Sequence, residues 1–97
     1  MARVVYSSEA LEDLERIIEF LLEASPEAAA DALQQIRSAI LILKAHPRIG
    51  RPTDSLRREL VISYGASGYL ALYRYDARLD VALVLRIRHQ REAGYRD

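Results

Sequence analysis

The chain has 97 residues, 51% hydrophobic and 29% charged, a composition that suits one globular domain over residues 1–97 and excludes a largely disordered chain. It contains no cysteine, which excludes disulfides, thiolate metal sites and a cysteine nucleophile. Acidic and basic side chains balance at 14 each, but unevenly: residues 1–47 carry four basic groups against eight acidic (−4), and residues 48–97 carry ten arginines against six acidic groups (+4). Arginine makes forked contacts to phosphate or carboxylate, so an anionic partner is expected on the second half. No apolar run approaches the roughly 20 residues of a membrane span, and the opening segment lacks the apolar core of a signal peptide. The expected location is the cytoplasm, with no membrane partner.

In chain order, Val4, Val5 and Tyr6 read as a short strand. Ser7 and Ser8 can cap a helix beginning near Glu9, with Glu9, Glu12 and Asp13 placed in its first turn where the dipole favours anions. Leu11, Leu14, Ile18 and Leu21, widened by Ile17 and Leu22, form its apolar stripe. Ser25-Pro26-Glu27 starts a second helix with a stripe of Ala29, Leu33, Ile36, Ile40 and Leu43, ending near His46 because Pro47 disfavours a helical residue before it. So short a connection predicts an antiparallel helical hairpin. A turn-rich loop, Pro47 to Leu56, follows, and then the apolar period changes from 3.6 to 2. Leu60–Tyr64, Tyr69–Tyr75 and Val81–Ile87 read as three antiparallel strands joined at 65–68 and 76–78. The fold class is α+β, in the order β-α-α-β-β-β.

Pairing Tyr64 with Tyr69 would put Leu60, Ile62, Ala71, Tyr73, Leu83, Leu85 and Ile87 against the helices. The opposite face would then carry Glu59 across from Arg74 as an ion pair. Beside it would run an apolar strip of Val61, Leu70, Leu72 and Val84, bordered by Arg86 and Arg88, with the character of a docking surface.

This order of elements resembles the RelE/ParE superfamily of bacterial toxins. The residues that carry the resemblance are Ala10-Leu11-Glu12-Asp13-Leu14, Pro47-Arg48-Ile49-Gly50-Arg51, Tyr69 with Tyr73, and Ile87-Arg88-His89-Gln90-Arg91-Glu92. The likeness spans essentially the whole chain and is nearer the ParE branch. It implies a toxin of a type II toxin–antitoxin system, restrained by a co-encoded antitoxin whose C-terminal segment wraps it in a hetero-oligomer. ParE-like members poison DNA gyrase by trapping its cleaved DNA complex; RelE-like members cut mRNA at the ribosome. On this resemblance the antitoxin is expected on Val61, Leu70, Leu72, Val84 and Arg74, and the target on Arg48, Arg51, Arg86, Arg88 and Arg91. No cofactor or metal is expected.

A metal-free ribonuclease needs a base for the 2′-hydroxyl, an acid for the leaving oxygen and a cation at the phosphate. The candidates are His89 and Tyr95 with Arg74 and Arg86. The one lysine, Lys44, belongs to the second helix. Strand parity turns His89 toward the core side, where a bonded structural histidine is the simpler reading. His46 reads as a helix C-terminal residue, and two histidines without cysteine make no zinc site. Tyr64, Tyr69 and Tyr73 read as core-lining residues. The leading expectation is therefore a gyrase-binding toxin, with a ribosome-dependent endonuclease and a toxin that binds only its antitoxin as the alternatives.

Overall fold

The computed structural model describes residues 1–64, 67–92, 94 and 95. The opening segment is a strand, β1 (Arg3–Tyr6). Helix α1 (Ser8–Ala24) is capped by Ser7, whose Oγ accepts the Ala10 N–H at 3.0 Å. Ser25 repeats the device for helix α2 (Pro26–Leu41), with Pro26 where a missing N–H is harmless. A 3₁₀ turn, Ile42–Lys44, ends the hairpin before Pro47.

Four more strands follow: β2 (Arg51–Pro52), β3 (Arg58–Tyr64), β4 (Ser67–Asp76) and β5 (Val81–His89). They make one five-stranded sheet in the order β1-β5-β4-β3-β2. The α+β architecture is the expected one, but the sheet is mixed. Strands β2 to β5 pair antiparallel; β1 joins β5 in parallel, because the helical hairpin carries the chain from β1 across the sheet to β2 at the far edge and the strands then run back to β5. The short β2, read as loop, pairs with β3 through Arg51↔Glu59.

Ala10, Ile17, Ile36, Ile40 and Leu43 pack with Leu60, Ile62, Tyr69, Ala71, Tyr73, Ala82, Val84 and Ile87. Each fully buried aliphatic side chain of this kind contributes roughly 1.5–3 kcal/mol. The tyrosines at 69 and 73 line this core as read. Gly50 lets the loop after α2 close onto it: a Cβ there would lie 2.6 Å from Tyr73 Cε1 and 2.9 Å from the Glu59 carbonyl oxygen. The Gly50 N–H instead donates to Tyr73 Oη at 2.9 Å.

Two features of register depart from the sequence reading. First, β3 and β4 pair Tyr64 with Ser67, so the connection is residues 65 and 66, outside the described residues. The slip is of two residues, so every side chain keeps its face, but Glu59 now stands across from Leu72 and the expected Glu59–Arg74 pair does not form. Second, the β4–β5 ladder shifts between Leu72/Tyr73: Leu72 pairs with Arg86 and Tyr73 with Val84. Leu85 is the extra residue of a β-bulge, and a one-residue insertion exchanges the two faces of the strand beyond it. Ala82 and Val84 therefore enter the core, while Leu83 and Leu85, expected there, are only partly buried.

The bulge is held by helix α1. Ser7 Oγ donates to the Leu85 carbonyl at 2.8 Å, and Ser7 N–H donates to the Val84 carbonyl at 2.9 Å. Asp13 does the rest: its Oδ2 accepts the Ile87 N–H at 2.9 Å and Arg86 Nε at 2.8 Å, and its Oδ1 accepts Arg86 Nη2 at 3.1 Å. Asp13 is only 4% exposed. Its capture rotates α1 so that Ala10, Asp13 and Ile17 face the sheet, and Leu11, expected on the buried stripe, points to solvent.

Removing one partner of a buried, hydrogen-bonded ion pair costs about 3–5 kcal/mol, because the other charge stays buried. Asp13→Ala is expected to lose stability on that scale. Glu12→Ala, one residue away and exposed, should change it by less than about 0.5 kcal/mol. Urea denaturation of the two variants checks the contrast; equal, small losses would remove Asp13 from its structural role.

Candidate functional site

The sheet face away from the helices carries a polar cluster built from three strands and the end of the chain. Register places Arg51 of β2 beside Glu59 of β3, and the Arg51 guanidinium binds Glu59 Oε1, with Nε at 3.1 Å and Nη2 completing the pair. From the C-terminal segment Tyr95 donates its hydroxyl to Glu59 Oε2 at 2.6 Å. Arg88 of β5 stacks on the Tyr95 ring, its Cζ 5.1 Å from the centroid, and Nη1 donates to the Glu92 carbonyl at 2.7 Å. Tyr95 thus lies across β4, between Glu59 on one side and Arg88 on the other.

Electrostatics fix the proton in this cluster. Burial alone would push the Glu59 carboxyl up, but the Tyr95 hydroxyl, Arg51 and the Arg88 charge together hold it below its ordinary value of 4.5. Burial and the bonded carboxylate both push the Tyr95 phenol upward. The cluster is a carboxylate with its two oxygens taken by a guanidinium and a phenol that keeps its proton. As a chemical unit it holds the chain end to the sheet and offers cations at its rim.

The structure disperses the residues read from sequence as a possible nuclease site. Arg74 is exposed on the outer face of β4. Arg86, expected without a partner, is clamped by Asp13. His89 lies opposite Tyr69 on the helix-facing side, edge to face at 5.3 Å, and its Nδ1 accepts the Arg91 N–H at 3.0 Å. Tyr95 belongs to the Glu59 cluster.

The expected apolar docking strip is also different in the folded chain. Val61 is 47% exposed, but Leu70 and Leu72 are 6% and 8% exposed, beneath the position of Tyr95. Val84 is fully buried on the helix side because of the bulge. Of the five residues assigned to an antitoxin, Val61 and Arg74 are open to solvent.

Among the residues read as target contacts, Arg51 and Arg88 meet around Glu59, Arg91 is exposed beyond them, and Arg48 lies elsewhere, over the Tyr75 ring at 4.9 Å. His46 is exposed at the end of the hairpin. Sequence reasoning missed the central roles of Glu59 and Asp13. Asp13 had a signal: it stands at i+3 from Ala10 and i−4 from Ile17, on the stripe that faces the sheet. Glu59 had none, since its partners are 8 and 36 residues away in sequence.

The family described as ParE toxin of type II toxin-antitoxin system, parDE, matches residues 4–94. The chain belongs to the RelE/ParE superfamily of toxins from type II toxin–antitoxin systems. It is 36% identical over 92 residues to Toxin RelE3 of Caulobacter vibrioides, covering 95% of this chain and 98% of that protein. Among solved structures it resembles the chromosomal ParDE toxin–antitoxin system of P. aeruginosa, with a TM-score of 0.75, 24% identity and coverage of 92% and 96%. It also resembles the intact E. coli RelBE toxin–antitoxin complex, with a TM-score of 0.68, 14% identity and coverage of 95% and 100%. Those two likenesses carry the fold; the superfamily assignment rests on the sequence matches.

A bond to a charged acceptor contributes about 1.5–3 kcal/mol, so Tyr95→Phe should destabilise the toxin by that order near neutral pH. The pH dependence has a definite sign. Glu59 binds its proton less tightly in the folded chain than in the unfolded one, so its contribution is present above 4.5 and lost as pH falls through the lower folded-state value. The stability difference between wild type and Tyr95→Phe is therefore expected to shrink on acidification. A difference that stays constant or grows toward acid would show that the phenol–carboxylate bond is not its source.

Proposed function

We propose that this toxin acts by binding rather than by turnover: it engages DNA gyrase, holds the cleaved DNA complex, and is restrained by a co-encoded antitoxin. The observation that carries the reading is the dispersal of Arg74, Arg86, His89 and Tyr95 over four separate environments. A general base and acid must reach one substrate atom each, within about 2.6–3.2 Å in the reacting complex. His89 faces Tyr69 on one side of the sheet, and Tyr95 stands on the other. The match to the ParE family supports the reading of gyrase as the target. The rim of Arg51, Arg88 and Arg91 supplies charge-assisted contacts for an acidic or phosphate-bearing partner. The antitoxin segment is proposed to lie over the outer face, where Val61 and Arg74 are open.

One observation favours the second reading, a ribosome-dependent endonuclease. Glu59 is a carboxylate between two arginines and a phenol, the components of a metal-free phosphodiester cleavage site, and the 36%-identical relative is named RelE3. Against it, both Glu59 oxygens are already bonded and the phenol proton is held in place.

Two assays separate the readings. Purified toxin, incubated with gyrase and supercoiled plasmid, is expected to yield gyrase-dependent cleaved DNA and no codon-positioned cuts in ribosome-bound mRNA. His89→Gln should leave growth arrest unchanged. An essential acid–base group would instead cost about 10²–10⁴-fold in rate. Ribosome-dependent cuts that disappear in Glu59→Gln, with circular dichroism unchanged, would replace binding by catalysis.

A further inference from the structure

A second cationic site stands on the other side of the sheet, at the end that the helices leave open. It is a cleft of about 370 Å³ lined by Arg48, Pro52, Asp54, Ser55, Leu56, Arg57, Arg58 and Tyr75. We infer that this cleft, through Arg48, Arg57 and Arg58, grips the phosphate backbone of a nucleic acid.

The arginines are set in place before any ligand arrives. Arg58 Nη1 donates to the carbonyls of Arg48 and Gly50, at 2.9 and 2.8 Å, which pins the loop after α2 onto the start of β3. Arg48 Cζ stands over the Tyr75 ring, and the Tyr75 hydroxyl donates in turn to Asp80 Oδ1 at 2.6 Å. Asp54 organises the connecting turn: its Oδ1 accepts the Leu56 and Arg57 N–H groups, and its Oδ2 accepts Arg57 Nε. Those bonds hold the Asp54 carboxyl down to about 2, so it stays charged at any ordinary pH. A guanidinium already ordered by its neighbours loses less freedom on binding, which favours affinity.

Charge and exposure select the ligand. Three arginines against one aspartate leave the lining at +2. Arg48 and Arg57 are exposed, where solvent screens a pair with a single small anion and leaves it weak. A polyanion whose successive phosphates meet several arginines releases condensed counterions at each contact, and this makes weak pairs add up. Tyr75 beside Arg48 adds an aromatic ring to the cleft, suited to contact with the sugar and base edges beside a phosphate. The site uses none of the Glu59 cluster, and it does not depend on gyrase being the target.

The test is fluorescence anisotropy with a short labelled DNA duplex and the full chain, at about 50 and about 200 mM salt. Arg48→Gln with Arg57→Gln takes the cleft to zero charge. Asp54→Asn takes it to +3 while keeping an Oδ1 that accepts the turn's N–H groups. Affinity is expected to rise in the order double variant, wild type, Asp54→Asn. The double variant should lose about 2 from the slope of log K against log salt, by about 0.9 per phosphate contact. A second double variant, Arg37→Gln with Arg78→Gln, removes the same charge from outside the cleft and should bind nearly as wild type does. Melting curves confirm that each variant is folded. Equal affinity across the charge series, or equal loss in the outside control, overturns the assignment to this cleft. Arginine-dependent binding of inorganic phosphate or a nucleotide without binding of the duplex overturns the polynucleotide.

Discussion

The buried carboxylate of Asp13 is the constraint on which the rest of the arrangement depends. A bulge in a central strand strands backbone polar groups inside the molecule, where each unmade hydrogen bond is expensive. Here Ser7 takes the Leu85 carbonyl and Asp13 takes the Ile87 N–H, and the same carboxylate neutralises Arg86. The first helix is thereby positioned by polar groups at its start and packed by apolar ones further along. Arg16 extends the link: it stands 3.7 Å from Asp13 and donates to Glu92 Oε1 at 2.7 Å, while Glu92 Oε2 accepts the His89 N–H. One helix thus holds both the bulge and the turn that leaves β5.

The bulge also decides what each face of β5 can do. Without the extra residue, Val84 would join Leu70 and Leu72 in an open apolar strip. With it, Val84 completes the core, and the outer face is left with a strip narrow enough to lie beneath Tyr95. Burying Leu70 and Leu72 in this way avoids an exposed apolar patch, which in a soluble chain invites association. The closure in turn needs a partner for the phenol, and Glu59 supplies it. A carboxylate 7% exposed is tolerable there because Arg51 and Arg88 flank it. Charge therefore sits in two separate places: around Glu59 on the outer face, where Arg51 and Arg88 flank the carboxylate, and in the Arg48–Arg57–Arg58 cleft, where Asp54 offsets one of three arginines.

Much of this was legible in the residues themselves. Ser7, Ser25 and Pro26 announce two helix starts, and the stripe of Ala29, Ile36 and Ile40 is one that α2 buries, continued by Leu43 in the 3₁₀ turn. The alternation in β3 and β4 gave the correct faces even though the register was off by two, since an even slip preserves parity. The Pro47–Arg51 segment read as part of a loop, and the chain-long order of motifs pointed to the superfamily that the sequence comparison bears out.

Local sequence determined the helices, the strands other than β2, the hairpin and the excess of arginine in the second half, because caps, periodicity and charge act between near neighbours. The tertiary structure alone decided the parallel seat of β1, the bulge at Leu85, and the partners of Arg86 and Glu59. Each of those depends on groups brought together from far apart: Asp13 meets Arg86 across 73 residues, and Glu59 meets Tyr95 across 36. A buried charge chooses its partner by which opposite charge the packed backbone brings within reach, and sequence spacing carries no record of that distance.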